Sequence, residues 1–155
     1  MRAIGLAMAL LVALPAMAAP EHCFTPSEHG GVRVMVYIGD RKCVEFDEPR
    51  EFTGIWINAF ESSRFNEGAT SLAEAGERKP LVWLSLDDQS IRPAGFRVKL
   101  GHAYRLTMIA RSAKDMNRQP LEGYGHFGMW PGLVLVERIT AWEDLGPAAE
   151  NAPGH

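Results

Sequence analysis

The sequence predicts an all-β domain: a single small barrel, closed or partly open, of about six strands, with one long loop that carries a short helix. Two observations support this prediction. Short stretches of alternating apolar and polar residues recur along the chain, and glycine, proline and charged residues separate them. The chain also has no internal repeat and no long linker, so we assign these strands to one domain over residues 19–145.

The first strands are expected in the segment from residue 32 to residue 61. The stretch "VRVMVYI" (32–38) places its valines on one face, and "KCVEF" (42–46) is expected to return beside it as a hairpin after a Gly39–Asp40 turn. The stretch "FTGIWINAFE" (52–61) has apolar residues on both sides, so both of its faces are expected to be partly covered. These patterns predict three strands.

The alternation stops between Ser62 and Lys79, which we interpret as the long loop, with a short helical turn over residues 71–75. Strands resume with "LVWLSL" (81–86) and with the hairpin "FRVKL" (96–100) and "AYRLTMIAR", and they end with "LVLVERITAW" (133–142). Residues 146–155 are rich in proline and small residues and are expected to form a disordered tail. A sheet of this size removes its edges by closing into an OB-type barrel or by folding into a two-sheet sandwich.

The N-terminus predicts export. Arg2 precedes the uncharged stretch "AIGLAMALLVALPAMA", and Ala16 and Ala18 form a small-residue cleavage pattern, so residues 1–18 are expected to be a signal peptide. We therefore expect a periplasmic or secreted protein. No later stretch is apolar enough to predict a membrane span.

The two cysteines of the chain, Cys23 and Cys43, are expected to form one disulfide in an oxidising compartment. In the chain-entropy model such a bridge stabilises the fold by roughly 3 kcal/mol. The alternative is a metal or redox site, but the sequence contains no C-x-x-C motif to support one. The net charge is −3 and the sequence contains no basic stripe, so nucleic acid is not an expected partner. No cofactor is predicted.

The stretch "EGYGHFGMWPG" (122–132) contains the first candidate for chemistry, His126. A histidine flanked by glycine suits a general base or a metal ligand, and Glu61, Glu122 and Asp144 are candidate carboxylate partners. The structural alternative, which we favour, is that the glycines allow a tight loop and the imidazole binds a backbone carbonyl. No histidine spacing typical of a metal site occurs, so no metal is predicted.

Two further features are candidates for a functional role. In "FESSRF" (60–65), an acid lies beside two serines, but adjacent residues seldom converge on one substrate atom, so we expect capping serines and phenylalanines that seal the barrel end. The tryptophans and tyrosines can line a platform for a sugar or a peptide, or can pack in the core. Trp130 and Tyr124, in the glycine-rich loop, are the two expected to be exposed.

The stretches "GIWINAFESSRF" and "GYGHFGMWPGLVLVERI", with the hairpin between them, resemble those of small exported bacterial proteins of unknown function that have OB-like barrels. The resemblance implies a ligand surface on the middle strands and their loops, and it implies no activity.

We therefore expect a non-enzymatic binding or interaction module whose partner is a small molecule, a glycan or an envelope protein. The candidate binding residues are Trp130, Tyr124 and His126. A small hydrolase or lyase centred on His126, with a carboxylate such as Glu61, is the first alternative. A structural accessory protein of a cell-envelope complex is the second.

Overall fold

The computed structural model describes residues 23–77, 81–86 and 93–148. The predicted signal peptide at residues 1–18 lies outside the described residues, as do residues 149–155 of the predicted tail. The chain divides into two compact units, residues 1–38 and 39–155, which are described separately below.

The first unit contains one antiparallel hairpin, formed by β1 (Phe24–His29) and β2 (Val32–Tyr37). Gly30 and Gly31 join the strands, and both have positive φ, as a two-residue hairpin turn requires. The strand predicted over residues 32–38 is therefore confirmed, but its predicted partner is wrong. Residues 42–46 do not return as a strand, because Asp40–Cys43 forms a short helix, α1.

The second unit contains a closed barrel of five strands, which confirms the predicted small barrel with one strand fewer than expected. Its strands are β3 (Arg50–Ala59), β4 (Ser62–Glu67), β5 (Val82–Ser85), β6 (His102–Ser112) and β7 (Gly132–Pro147). Their order around the barrel is β3, β4, β5, β7, β6, and β6 pairs with β3 to close it. The β5–β7 pair is parallel, and the other pairs are antiparallel.

Three local predictions are corrected in this unit. Residues 62–67 form a strand rather than a loop, because Ser63 and Phe65 point into the barrel and Arg64 between them points outward. Residues 96–99 are not a strand. Strand β7 extends to Pro147, so the predicted tail does not begin at residue 146. The predicted short helix is confirmed as α2 (Leu72–Glu77).

Inward side chains of all five strands form the barrel core. Trp56 stacks on Tyr104 with ring centroids 5.3 Å apart, and Phe96 packs against the edge of Tyr104. The indole Nε1–H of Trp56 donates to Oγ of Ser63 at 2.9 Å, and the Ser63 hydroxyl donates to the backbone carbonyl of Leu84 at 2.6 Å. This chain of hydrogen bonds ties β3, β4 and β5 together and leaves neither buried polar side chain unsatisfied.

A second apolar cluster lies outside the barrel. Helix α2 contributes Ala75, which packs with Ile55, Ile57 and Ala103 on the outer faces of β3 and β6. This cluster covers the outer face of β3. The candidate site lies on the outer faces of β4 and β5, where Gly125 of the β6–β7 loop contacts Trp83.

Candidate binding surface on strands β4 and β5

The loop between β6 and β7 contains a tight turn at residues 123–130. Tyr124 and Trp130 form an antiparallel bridge through two backbone hydrogen bonds, of 2.7 and 3.1 Å. Gly125 and Gly128 have φ of 64° and 66°, and a Cβ on Gly123 would lie closer than 3.0 Å to the carbonyl oxygen of Trp130. The prediction that these glycines serve positive φ and close backbone approach is therefore confirmed.

This turn lies on the outer face of β5. Gly125 lies against the ring of Trp83, so closely that a Cβ at position 125 would overlap it, and the rings of Trp83 and Trp130 meet edge to face with centroids 5.5 Å apart. Trp130 is half-buried, so part of its ring is accessible. The glycine-rich turn and Trp83 therefore form one continuous surface.

Tyr124 is not part of the accessible surface. The prediction that it is exposed is wrong, because its side chain is only 5% exposed. Its hydroxyl donates to the carbonyl of Asp115 at 2.8 Å, and the Arg118 guanidinium lies over its ring at 4.5 Å. Burial raises the pKa of the Tyr124 hydroxyl. Tyr124 therefore holds the loop in place from below.

His126 lies beside Glu61, one of its three candidate carboxylate partners. Nε2 of His126 is 3.4 Å from Oε2 of Glu61, which is an ion-pair distance without hydrogen-bond geometry. The expected hydrogen bond from the imidazole to a backbone carbonyl is not found among the described residues. The contact joins the β3–β4 turn to the glycine-rich turn, which are far apart in sequence.

Another candidate partner, Asp144, is engaged elsewhere. Its carboxylate lies 2.8 Å from Nδ1 of His102 and accepts hydrogen bonds from Nζ of Lys99 and the backbone N–H of Gly146. The hydrogen bond from His102, followed by those from Lys99 and Gly146, holds the pKa of Asp144 well below its usual range. Glu61 is therefore the candidate carboxylate that reaches His126.

Both turns hold a non-glycine residue in the left-handed region of the backbone. Glu61 has φ of 56° and Phe127 has φ of 52°. Such residues cost about 1–3 kcal/mol each and cluster at binding and catalytic sites. The phenylalanines of the two turns are exposed, Phe60 to 76% and Phe127 to 75%. The expectation that Phe60 seals the barrel end is therefore wrong.

Buried polar atoms without hydrogen-bond partners occur on strand β4 and in the glycine-rich turn, and Asn66 lies beside Ile55 of the α2 cluster rather than beside Trp83. Among the described residues, the buried side-chain nitrogen and oxygen atoms without a partner belong to Arg64, Asn66 and His126. Arg64 and Asn66 alternate with the inward Phe65, so both lie on the outer side of β4. Unsatisfied buried polar groups are rare in folded proteins, which marks this face as unusual.

Arg64 differs from the arginines that serve the fold. Arg41 and Arg111 both bind Glu137, and Arg50 binds Glu67, whereas no ion pair among the described residues includes Arg64. Burial lowers the pKa of the Arg64 guanidinium, and no carboxylate offsets that cost. Arg64 is a half-buried cation directly across from Trp83, its partner on β5.

Sequence reasoning found His126, Glu61 and Trp130, included Trp83 only among the tryptophans of a possible platform, and missed Arg64. Arg64 could not be assigned to the site because strand β4 was not predicted. Once residues 62–67 are recognised as a strand that alternates about Phe65, residues 64 and 66 fall on the outer face.

No protein-family model, no curated protein and no solved structure matches this chain. Within residues 23–77, 81–86 and 93–148, no helix has the length and apolar character needed to cross a bilayer. In the same ranges, no three His, Cys, Asp or Glu side chains come together as a metal site would require.

Proposed function

We propose that this chain is an exported, non-enzymatic binding module whose ligand surface is the outer face of β4 and β5. The observation that supports it is the convergence of two distant turns on that face. The β3–β4 turn and the glycine-rich turn meet at Glu61 and His126, and they flank the neighbouring Arg64 and Trp83. The exposed aromatic rings of the two turns and the Arg64 guanidinium supply the apolar and polar groups that small-molecule sites require.

The barrel topology supports the same surface. Counted from β3, strands β4 and β5 are the second and third of five, and the β3–β4 turn and the β6–β7 loop are the first and fourth connections. OB-type barrels bind their ligands on the second and third strands and on those two loops. We therefore propose that this five-stranded barrel binds its ligand on the same strands and loops as an OB-type barrel does.

The proposal is tested on an array that displays neutral oligosaccharides, acidic oligosaccharides and peptides. We expect the wild-type protein to be retained by one of these classes. The double variant Phe60→Ser, Phe127→Ser should lose at least tenfold in retention, because it removes the apolar rims of both turns.

The matched control is Leu100→Ser, which removes an apolar side chain that is 67% exposed and has no part in the proposed surface. It should leave retention unchanged. Equal retention of the wild type and the double variant, or no retention of the wild type by any class, would contradict the proposal.

A second candidate function, a small hydrolase or lyase centred on His126, is favoured by the contact between His126 and Glu61. A carboxylate beside an imidazole suits general acid–base catalysis, which also requires a nucleophile or a positioned water. Shortened products on the array oligosaccharides, formed by the wild type and not by His126→Gln, would support this candidate over pure binding.

Export and the disulfide remain proposals that one measurement tests. The structure shows no Cys23–Cys43 bond. We propose that the two cysteines form one in the oxidising envelope, so the mature protein is expected to have lost residues 1–18 and to weigh two hydrogens less than its reduced form. Intact mass with and without reductant gives both values. A full-length mass would contradict export, and two alkylated thiols in the unreduced sample would contradict the bridge.

A further inference from the structure

We infer that the surface over Arg64 and Trp83 binds a saccharide that carries a carboxylate group, with Arg64 as the residue that pairs with the carboxylate. This inference rests on the proposed function and adds the chemical class of the ligand.

The charge argument starts from Arg64. Arg64 is half-buried, its Nε has no hydrogen-bond partner, and no ion pair among the described residues includes it. Burying a cation in this way destabilises the folded protein, and an incoming anion offsets that cost. A guanidinium presents two parallel N–H groups that match the two oxygens of a carboxylate. The site therefore favours a ligand with a planar, singly charged anionic group.

The ring argument concerns the body of the ligand. Trp83 lies directly across from Arg64, Trp130 packs against Trp83, and the exposed Phe60 and Phe127 border the surface. Flat aromatic faces of this kind pack against the apolar face of a sugar ring. A ligand that contacts both the Arg64 guanidinium and these aromatic rings has its carboxylate attached close to a sugar ring.

The border of the surface suits hydroxyl groups. The Glu61 carboxylate beside His126 is 49% exposed, and a carboxylate accepts hydrogen bonds. Sugar hydroxyls donate to such a group directly or through water.

Other anionic polymers fit less well. Nucleic acid binding neutralises several phosphates with several cations, whereas this surface has one unpaired arginine, the Glu61 carboxylate at its border, and a chain of net charge −3. An extended peptide gains affinity by pairing with a free sheet edge, and the barrel is closed.

The test is isothermal titration of the full mature protein, near pH 7, with a galacturonic acid trimer and with its methyl ester, which keeps the rings and removes the charge. We expect the wild type to bind the acid roughly 10- to 100-fold more tightly than the ester, the range for a charge-assisted hydrogen-bonded pair. Arg64→Gln should abolish this preference and leave the affinity for the ester unchanged. Arg64→Lys, which keeps the charge without the planar fork, should retain part of it.

Arg138→Gln is the matched control, because it removes an exposed arginine of β7 and should leave the preference intact. Equal binding of acid and ester, with both lost in the Phe60→Ser, Phe127→Ser variant, overturns the inference and leaves the proposed function standing. If a folded Arg64→Gln variant binds neither the acid nor the ester, the inference is also overturned, because Arg64 then maintains the shape of the surface and does not pair with the carboxylate.

Two further outcomes count against the inference. If neither trimer binds, the ligand is not an acidic saccharide of this kind, and the proposed function is then tested by the array experiment alone. If a thymidine decamer displaces the acidic trimer and binds more tightly, the surface recognises nucleic acid instead.

Discussion

Replacing Gly54 with alanine should lower the free energy of unfolding of the barrel by about 3 kcal/mol, at the upper end of the range for an overpacked site. Gly54 lies on β3 opposite Glu67 of β4, and a Cβ at this position would lie closer than 3.0 Å to the carbonyl oxygen of Asn66. The neighbour is strand backbone, so it cannot rotate away as a side chain would. Urea denaturation followed by tryptophan fluorescence measures the loss.

Gly76→Ala is the matched control for this prediction. Gly76 lies in helix α2, and a Cβ there would meet no atom within 4 Å. The same chemical change should therefore raise stability by about 0.5–1 kcal/mol, because alanine has the higher helix propensity. Equal effects of the two substitutions would show that the close approach at Gly54 has no energetic weight.

Gly125→Ala should destabilise the protein by about 2–3 kcal/mol and also abolish ligand binding, because two costs add at this position. Gly125 has φ of 64°, which costs an alanine roughly 1 kcal/mol, and its new Cβ would overlap the Trp83 ring. Either the glycine-rich turn or Trp83 must move, and both belong to the proposed surface. Thermal unfolding and retention on the oligosaccharide and peptide array measure the two effects.

Gly101→Ala separates these two costs. Gly101 has φ of 77°, but a Cβ there would lie in open space, so only the backbone strain of roughly 1 kcal/mol applies. Array retention should stay unchanged. A Gly125→Ala variant that retained its ligand would contradict the assignment of this turn to the binding surface.

The all-β class and the small barrel could be predicted from the sequence because β3, β5, β6 and β7 carry clear apolar patterns. Strand β4 could not, because its inward residues are one serine and one phenylalanine among polar neighbours. Ser63 is buried only because Trp56 and Leu84, from two other strands, satisfy its hydroxyl. The hydropathy pattern of a short stretch carries no information about hydrogen bonds to other strands.

The predicted hairpin of residues 96–100 and 103–111 does not form, because its first segment is not a strand. Residues 96–99 have an alternating pattern, but their backbone binds the Tyr104 hydroxyl, which accepts from the N–H of Lys99 and donates to the carbonyl of Arg97. Phe96 still enters the barrel core from this segment. The period-two signal thus identified a buried residue correctly and its secondary structure wrongly.

The site was predictable only in part. His126 and Trp130 were identified because glycines around an aromatic and a histidine are conspicuous in any sequence. Their partners depend on pairing across the barrel: the β4–β5 register places Arg64 opposite Trp83, and a loop contact places His126 beside Glu61. Long-range register of this kind is set by the whole sheet and not by any single stretch.

The left-handed conformations of Glu61 and Phe127 have an evolutionary consequence. At both positions glycine would relieve backbone strain, so drift toward stability alone favours glycine at 61 and 127. A relative that keeps side chains there retains them against that drift, whereas a relative with glycine at both keeps the barrel and loses the carboxylate and the ring. Under the proposed function, these two positions should separate the binding members of a lineage from those that retain only the barrel.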